Sequence, residues 1–515
     1  MMNNYVVLSV FISLFVIFVG LGFWSSRFRK GDMSDIGEWA LAGRKLGGYL
    51  AWFLVGADLY TAYTFIAIPE LLYEKAAIYY FAVPYVGMAF GIAMITMPRL
   101  WKISKGKNYV TAVDMVQDKF NSKTLAIVIA LTGIAAELPY IALQIYGMQA
   151  VLTVMIGQLT TVDTVTITEI SLVIAFIILA AFTFTSGLRG ATITAVMKDV
   201  IIFATVIVVI VLVPMYIGGF GHAFASMKAS SAPSYESLAP LFLNGFISLS
   251  IMSALALYLY PHAINGVFST NSTKRLRYST ALLPIYGIGL AFLALFGILI
   301  YGSPAALGYV SKYGAVTVVP SLIYAEFPDW FVGFAFLGIF IGGLVPASIM
   351  AISQANLLTR NVVKVFKPDL SPKSEARMAK WFSVMFKFLA LAFIFLISST
   401  YSLELQLIGG IIILQTLPAI FLGMYTKKLE KWSVGLGWAA GITLGVYMIY
   451  YANFVQDKFP SLETVLFKFS TPFSFLYIGL IALVVNLAIS LIGSAIAASL
   501  RGHPAVSKTE SEQTD

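Results

Sequence analysis

No cysteine occurs among the 515 residues of this chain, and only three residues are histidine. The first absence excludes a disulfide framework, thiol catalysis and any cysteine-based metal site. Charge is scarce as well. Only 11% of residues are Asp, Glu, Lys or Arg, while 59% are hydrophobic and the mean hydropathy is +0.88. A water-soluble domain cannot hide that much apolar surface. No GxxxxGK[ST] loop is present, so phosphate-driven pumping lacks its nucleotide cradle. No basic segment precedes the first apolar run, Val6 to Phe23, and Arg27-Phe28-Arg29-Lys30 follows it, so it reads as a retained helix rather than a cleaved signal.

What the chain does have is thirteen apolar runs. They begin near Val6, Tyr49, Ala77, Leu125, Ile167, Val200, Phe242, Ala281, Phe331, Met378, Leu403, Trp432 and Phe473. Each is about 20 residues long, enough to cross a bilayer as a helix. Of the 33 Lys and Arg, 27 fall in alternate gaps, starting with Arg27, Arg29, Lys30, Arg44 and Lys45. The intervening gaps hold only Lys75, Lys228, Lys312, Lys458 and Lys468, and Lys387 alone lies inside a run. This asymmetry predicts a multi-pass cell-membrane protein with its N-terminus outside and its C-terminus in the cytoplasm. The net charge of +9 then faces anionic membrane lipid, not nucleic acid. The stretch Ala315 to Phe327 is too short to span, and predicts a half-helix lying on the outer face. Residues 1–500 read as one all-α membrane domain, followed by a polar tail, 501–515, expected to be disordered.

Several runs are interrupted. Solute-carrying helices are broken where an unwound turn exposes backbone groups. The second run carries Gly56-Ala57-Asp58 in mid-span, followed by Tyr60 and Thr61. A carboxylate there costs about 2.5–3.5 kcal/mol on insertion scales. Asp58 points to a solute or ion site, and capping of the second half-helix through the Thr61 amide is the bland alternative. The seventh run reads Tyr258-Leu259-Tyr260-Pro261-His262, with Asn265 three residues on. Pro261 leaves the Leu257 carbonyl without its helical partner. The fourth run holds Glu137, Pro139, Tyr140 and Gln144, with Glu137 either intramembrane or near the outer surface. The ninth holds Gly342-Gly343 and Pro346, which frees the Gly342 carbonyl, and the eleventh holds Gln406, Gln415 and Pro418. The candidate solute-binding set is therefore Asp58, Thr61, Glu137, Gln144, Tyr258, Tyr260, His262 and Gln415. The breaks at Gly56 and Tyr260-Pro261 lie five helices apart. Five is odd, so the second five-helix half is inverted relative to the first.

Taken in order, these residues resemble the sodium:solute symporter family. The lead Leu41-Ala42-Gly43-Arg44-Lys45-Leu46-Gly47-Gly48, the Pro261-His262 pair and the stretch Ala347-Ser348 to Arg360-Asn361 carry the likeness, with Gln415-Thr416-Leu417-Pro418. The last two resemble the monocarboxylate-permease-like branch. The resemblance implies a LeuT-like five-plus-five inverted-repeat core. Residues 1–40 would form an extra helix and loop, 41–425 the ten-helix core, and 426–500 two further helices. It implies a sodium site on the Ala57, Tyr60 and Gly342 carbonyls plus two hydroxyls. Val345 and Pro346 stand at the hydroxyl positions, and Ser348 is the nearest hydroxyl. Lys198-Asp199 stands where the family has Thr-Asp. A Lys198 ammonium at the sodium position accounts for both departures, whereas the bland alternative has Lys198 reaching the headgroups beside Asp199.

The function expected is cation-coupled import of a small organic solute, an anionic monocarboxylate, driven by sodium or a proton, with no other cofactor. A solute sensor or an uncoupled channel on the same fold is the alternative. An enzyme is not expected, since His262 is the only histidine near a span. Topology is directly testable in a cysteine-free chain. Single cysteines at Ser272 and Ser371 should react with an impermeant maleimide only from the cytoplasmic side, and those at Ser234 and Ser461 from outside. External labelling of Ser272→Cys in intact cells would overturn the helix count.

Overall fold

The computed structural model describes residues 4–27, 31–75, 77–159, 164–230, 238, 240–396, 402–456, 465–470 and 474–501. Ser234, Ser461 and the tail 502–515 lie outside the described residues. Helix dominates. In chain order the helices used below are α1 (Asn4–Trp24), α2 (Gly48–Gly56), α3 (Ile68–Lys75), α4 (Ala82–Lys107), α5 (Lys123–Gly157), α6 (164–186) and α7 (188–216). Then come α8 (Leu243–Leu257), α9 (Pro261–Ser269), α10 (Thr273–Leu282), α11 (Pro284–Ala294) and α12 (Asp329–Asn356). Last are α13 (Pro372–Leu396), α14 (Ser402–Leu414), α15 (Lys431–Tyr450) and α16 (Ile478–Arg501).

Eleven continuous helices among the described residues are long and apolar enough to cross a membrane. Thirteen apolar runs map onto them for two physical reasons. Val165–Tyr216 is a single stretch of 52 residues, roughly 80 Å at 1.5 Å per residue, against a hydrocarbon core of about 30 Å. It is folded at Gly187, whose φ of 57° and ψ of −145° are not helical. Thr183 lies 3.4 Å from Ser348, while Ile167, Ser171 and Ala175 share a groove with Phe340, so α6 runs parallel to α12. Tyr216 meets Phe327, and Ile201 abuts Gly338, so α7 runs back the other way. The second run is not continuous either: α2 ends at Gly56, and helix resumes in a wide π-turn at Tyr63–Ala67 that leads into α3. The chain is thus a multi-pass membrane protein.

The most deeply buried element is α12, which packs against α1, α5, α6, α7 and α13. Glycines let it approach: a side chain at Gly343 would start 2.5 Å from the Gln144 carbonyl, and one at Gly333 2.5 Å from that of Val7. The helix Val318–Glu326 departs from the sequence reading. It does not lie on a surface, because Val318 through Tyr324 are all buried, wedged beside α5 and α12. A small antiparallel hairpin, β1 (Leu466–Lys468) with β2 (Phe475–Tyr477), is a second departure from an all-helical chain. It anchors on the core through Tyr477, which donates to the Leu407 carbonyl at 2.6 Å. α15 and α16 pack closely through Gly437, where a side chain would start 2.4 Å from Ser490 Oγ, in the manner of small-residue membrane interfaces.

Gly187 is the position that fixes the α6–α7 reversal. Its backbone geometry is open only to glycine, and a side chain would start 2.3 Å from the Trp39 carbonyl oxygen. Gly187→Val is expected to cost roughly 2–4 kcal/mol from strain plus overpacking. The thermal midpoint in detergent should fall accordingly. Gly20→Ala, where nothing lies within 4 Å, should leave it unchanged.

Candidate functional site

Two helix breaks face one another's chemistry in opposite senses. In the first, α2 stops at Gly56, whose missing side chain leaves room for Tyr286, 2.3 Å from where a Cβ would stand. Residues 57–60 leave the helical path. Gln144 Oε1 accepts from the Ala62 amide at 3.2 Å, and Thr61 Oγ1 from the Tyr63 amide at 3.1 Å. Both side chains therefore satisfy the restart of the helix. Thr64 Oγ1 donates to the Leu59 carbonyl at 2.5 Å.

The carbonyls released by the break point at Lys198. Its Nζ donates to Ala57 O at 2.9 Å and to Tyr60 O at 3.0 Å, and lies 2.9 Å from Asp199 Oδ1. Lys198 and Asp199 are both completely buried. Tyr286 Oη donates to Asp199 Oδ2 at 2.8 Å. The rings of Tyr60, Phe203 and Tyr286 pack within 5.3 Å of one another, centroid to centroid, and Trp52 stacks on Phe203. Gly342 completes the seat from α12: a side chain there would start 3.6 Å from Tyr60 O. The ammonium donates to two carbonyls and is ion-paired with a carboxylate, in a space closed by aromatic rings.

The second break has the opposite polarity. α8 ends at Leu257, and α9 restarts at Pro261 in the first helical position, where a missing amide costs nothing. Glu137 on α5 meets the new N-terminus. Its Oε1 accepts from the His262 amide at 3.1 Å and pairs with His262 Nδ1 at 2.6 Å. Ser353 of α12 donates to both carboxylate oxygens at 2.8 Å. A carboxylate at a helix N-terminus is favoured by the exposed amides and the helix dipole. Tyr140 and Tyr260 flank the imidazole at 5.4 and 5.6 Å. His262 Nε2 and Asp58 Oδ1 are buried without a protein hydrogen-bond partner. Beside this break a narrow cavity is lined by Tyr63, Tyr85, Tyr260, Gln406 and Tyr477, among others.

The structure thus gathers Ala57, Tyr60, Gly342, Lys198 and Asp199 in one place, and Glu137, His262 and Tyr260 in another, with Asp58 and Tyr258 buried in the breaks themselves. Asp58 makes no bond to the Thr61 amide. Two residues of the candidate set stand apart. Gln415 bonds Asn486 of α16 at 3.1 Å and the Ile411 carbonyl at 3.0 Å, and so ties the C-terminal helices to the core. Ser348 faces Thr183 rather than the seat of Lys198. Sequence reasoning passed over Tyr286 and Ser353 as site residues. Tyr286 gives no signal among 27 tyrosines, but Ser353 is a hydroxyl on the face of α12 two turns after Pro346.

The sequence profile of the sodium:solute symporter family matches residues 39–437. A protein of Rhizobium johnstonii named monocarboxylate transport permease is 40% identical over 96% of this chain and 97% of its own length. The Bacillus subtilis protein named uncharacterized symporter YodF is 32% identical over 89% of this chain and 91% of its own length. Among solved structures, a Na+-coupled sialic acid symporter in a substrate-bound outward-open state superposes with a TM-score of 0.72. It covers 95% of this chain and 98% of its own, at 15% identity, and so speaks to the fold. That fold is the LeuT-like inverted-repeat architecture, and the chain belongs to the sodium:solute symporter family.

Proposed function

We propose that this chain is a proton-coupled importer of a small monocarboxylate, with its N-terminus outside and its C-terminus in the cytoplasm. The observation that carries the coupling is the seat of Lys198. A sodium ion at this seat would need the Ala57 and Tyr60 carbonyls, which already accept from an ammonium. It would also need hydroxyls where Val345 and Pro346 have none. Two positive charges within about 3 Å repel strongly in a low-dielectric interior. The residues present fit one resident ammonium and not a second cation.

Protonated Lys198 ties both released carbonyls to Asp199 and so holds the α2–α3 break against α7. Loss of its proton towards the cytoplasm removes the ion pair and loosens all three contacts. The two halves of the broken helix are then free to move. Reprotonation from outside restores the seat. Asp199, held by Tyr286, is the proton's nearest relay.

The solute end of the proposal rests on the second break and on the named relative at 40% identity. With Nδ1–H donating to Glu137, an imidazolium at His262 presents Nε2–H as a free donor suited to a carboxylate oxygen. Asp58, Tyr258 and Tyr260 form the rest of the contact set, and Thr61 and Gln144 position the break. A short apolar acid suits the tyrosine-lined space between the two breaks.

In sodium-free proteoliposomes, uptake of a labelled monocarboxylate should be driven by an inward proton gradient and rise as the external pH falls. Lys198→Ala should reduce it to background. Strict sodium dependence, with Lys198→Ala active, would return the seat to sodium. Removing one partner of a buried pair costs roughly 3–5 kcal/mol, so Glu137→Gln and His262→Ala should lower the thermal midpoint. At equal reconstituted amounts they should also lower uptake at least about tenfold, one lost charge-assisted contact being worth that much. Wild-type uptake by both variants would assign the pair to packing alone.

A further inference from the structure

A separate polar cluster lies below the second break, towards the face that carries most of the Lys and Arg. Thr111 heads the helix Ala112–Phe120. Its Oγ1 donates to Asn361 Oδ1 at 2.7 Å, and Asn361 Nδ2 donates to Asp114 Oδ1 at 2.8 Å. Asp114 Oδ2 also accepts from the Val110 and Thr111 amides at 2.8 and 3.2 Å. Arg360 sits 3.6 Å from Asp114 and 2.9 Å from Glu375 at the start of α13, and Lys364 also pairs with Glu375. Thr111 and Asn361 are buried, although both are polar.

What lies on either side gives this cluster its meaning. Above it is a narrow cavity lined by Thr111, Pro261, Asn265, Ser353, Leu357 and Thr416. Ser353 is the residue that holds Glu137, so this cavity adjoins the floor of the second break. Below the cluster is an open vestibule of about 540 Å³, lined by Asp114, Asp118, Lys107, Lys123, Arg360 and Lys364. Thr111 belongs to the upper cavity, Asp114 and Arg360 to the lower one, and Asn361 bonds across. The Thr111–Asn361–Asp114 hydrogen bonds therefore run from the lining of the upper cavity to the lining of the vestibule. Two of the cluster's residues, Arg360 and Asn361, lie with Thr359 in the π-helical segment Leu357–Val363 that ends α12. Such wide turns interrupt the α-helical ladder and recur at functional sites. Thr359 Oγ1 and both side-chain amide atoms of Asn356, just before the segment, are buried without hydrogen-bond partners, so the segment's side-chain anchors include Arg360 and Asn361 but not these.

We infer that the solute leaves through the cavity below Pro261 and Ser353, and that Thr111, Asn361 and Asp114 are the bolt that closes this exit to the vestibule. Opening needs two side-chain hydrogen bonds to part and the π-segment to tighten or shift. The Asp114–Arg360–Glu375 ion pairs then guide the release of the helix Ala112–Phe120 from the start of α13. This holds for whichever solute and ion the protein carries.

The test uses the full chain, which has no native cysteine. Thr416→Cys places one thiol in the upper cavity. Its reaction with an impermeant methanethiosulfonate is followed by mass shift in inside-out vesicles, without solute or gradient, so the result does not depend on the transport reading above. The thiol should react slowly in the otherwise unchanged protein. It should react about tenfold faster or more when Asn361→Ala or Thr111→Val is added, since a bond to a charged or buried polar group is worth on that order. Thr111→Ser, which keeps the hydroxyl, should stay slow. Only variants with an unchanged thermal midpoint and monodisperse elution are compared. If Asn361→Ala fails this criterion, the Thr111→Val and Thr111→Ser pair decides. Equal rates for Val and Ser at position 111, or labelling only from the opposite face, would overturn the inference.

Discussion

A carbonyl turned out of a helix inside a membrane has no water to receive it, and leaving it unmet costs several kcal/mol. Two such carbonyls, Ala57 and Tyr60, are met here by one ammonium. Much of the surrounding structure is arranged so that this can happen. Gly56 makes room for Tyr286, which holds Asp199, which pairs with Lys198. Gly187 turns the chain so that α7 returns along α12 and delivers Lys198 to the break. Gly342 lets α12 lie against the Tyr60 carbonyl.

The two breaks answer each other electrostatically. The first exposes the C-terminal end of a half-helix, where carbonyls and the dipole favour a cation, and a lysine supplies it. The second exposes an N-terminal end, where amides favour an anion, and Glu137 supplies that. In an inverted repeat these are pseudo-equivalent positions with reversed chain direction. The protein has filled both with its own side chains, and His262 Nε2 and Asp58 Oδ1 are among the buried polar atoms at the breaks with no protein hydrogen-bond partner. On this account, coupling and solute recognition use the same physical device twice, once with each sign of charge.

Much of the fold was legible in the sequence because bilayer thickness dictates run length. The exceptions are instructive. Gly187 joins two spans with no loop between them, because one residue of left-handed φ reverses the path without unwinding its neighbours. Ala315 to Phe327 was legible as too short to span, but the burial of Val318 through Tyr324 was not, since apolar composition suits lipid and protein interior alike. For the site, Gly56-Ala57-Asp58 and Tyr260-Pro261 announced themselves because glycine, proline and charge are costly in mid-membrane. Lys198 was legible only beside the hydroxyls missing at Val345 and Pro346. Gln415 looked like a site residue, because a buried amide reads the same whether it serves a solute or, as here, Asn486 on a neighbouring helix. The Thr111–Asn361–Asp114 contact joins residues about 250 positions apart, and no local pattern encodes it.

The central claim is that a proton on Lys198 takes the part a sodium ion plays elsewhere. The most direct measurement is the pH inside sealed proteoliposomes that hold a trapped pH-sensitive dye, with no sodium on either side and no imposed gradient. Adding the monocarboxylate outside should acidify the interior in step with its entry, with no such signal in protein-free vesicles or with Lys198→Ala. Entry of the solute without acidification, restored or accelerated only when sodium is added, would contradict the account.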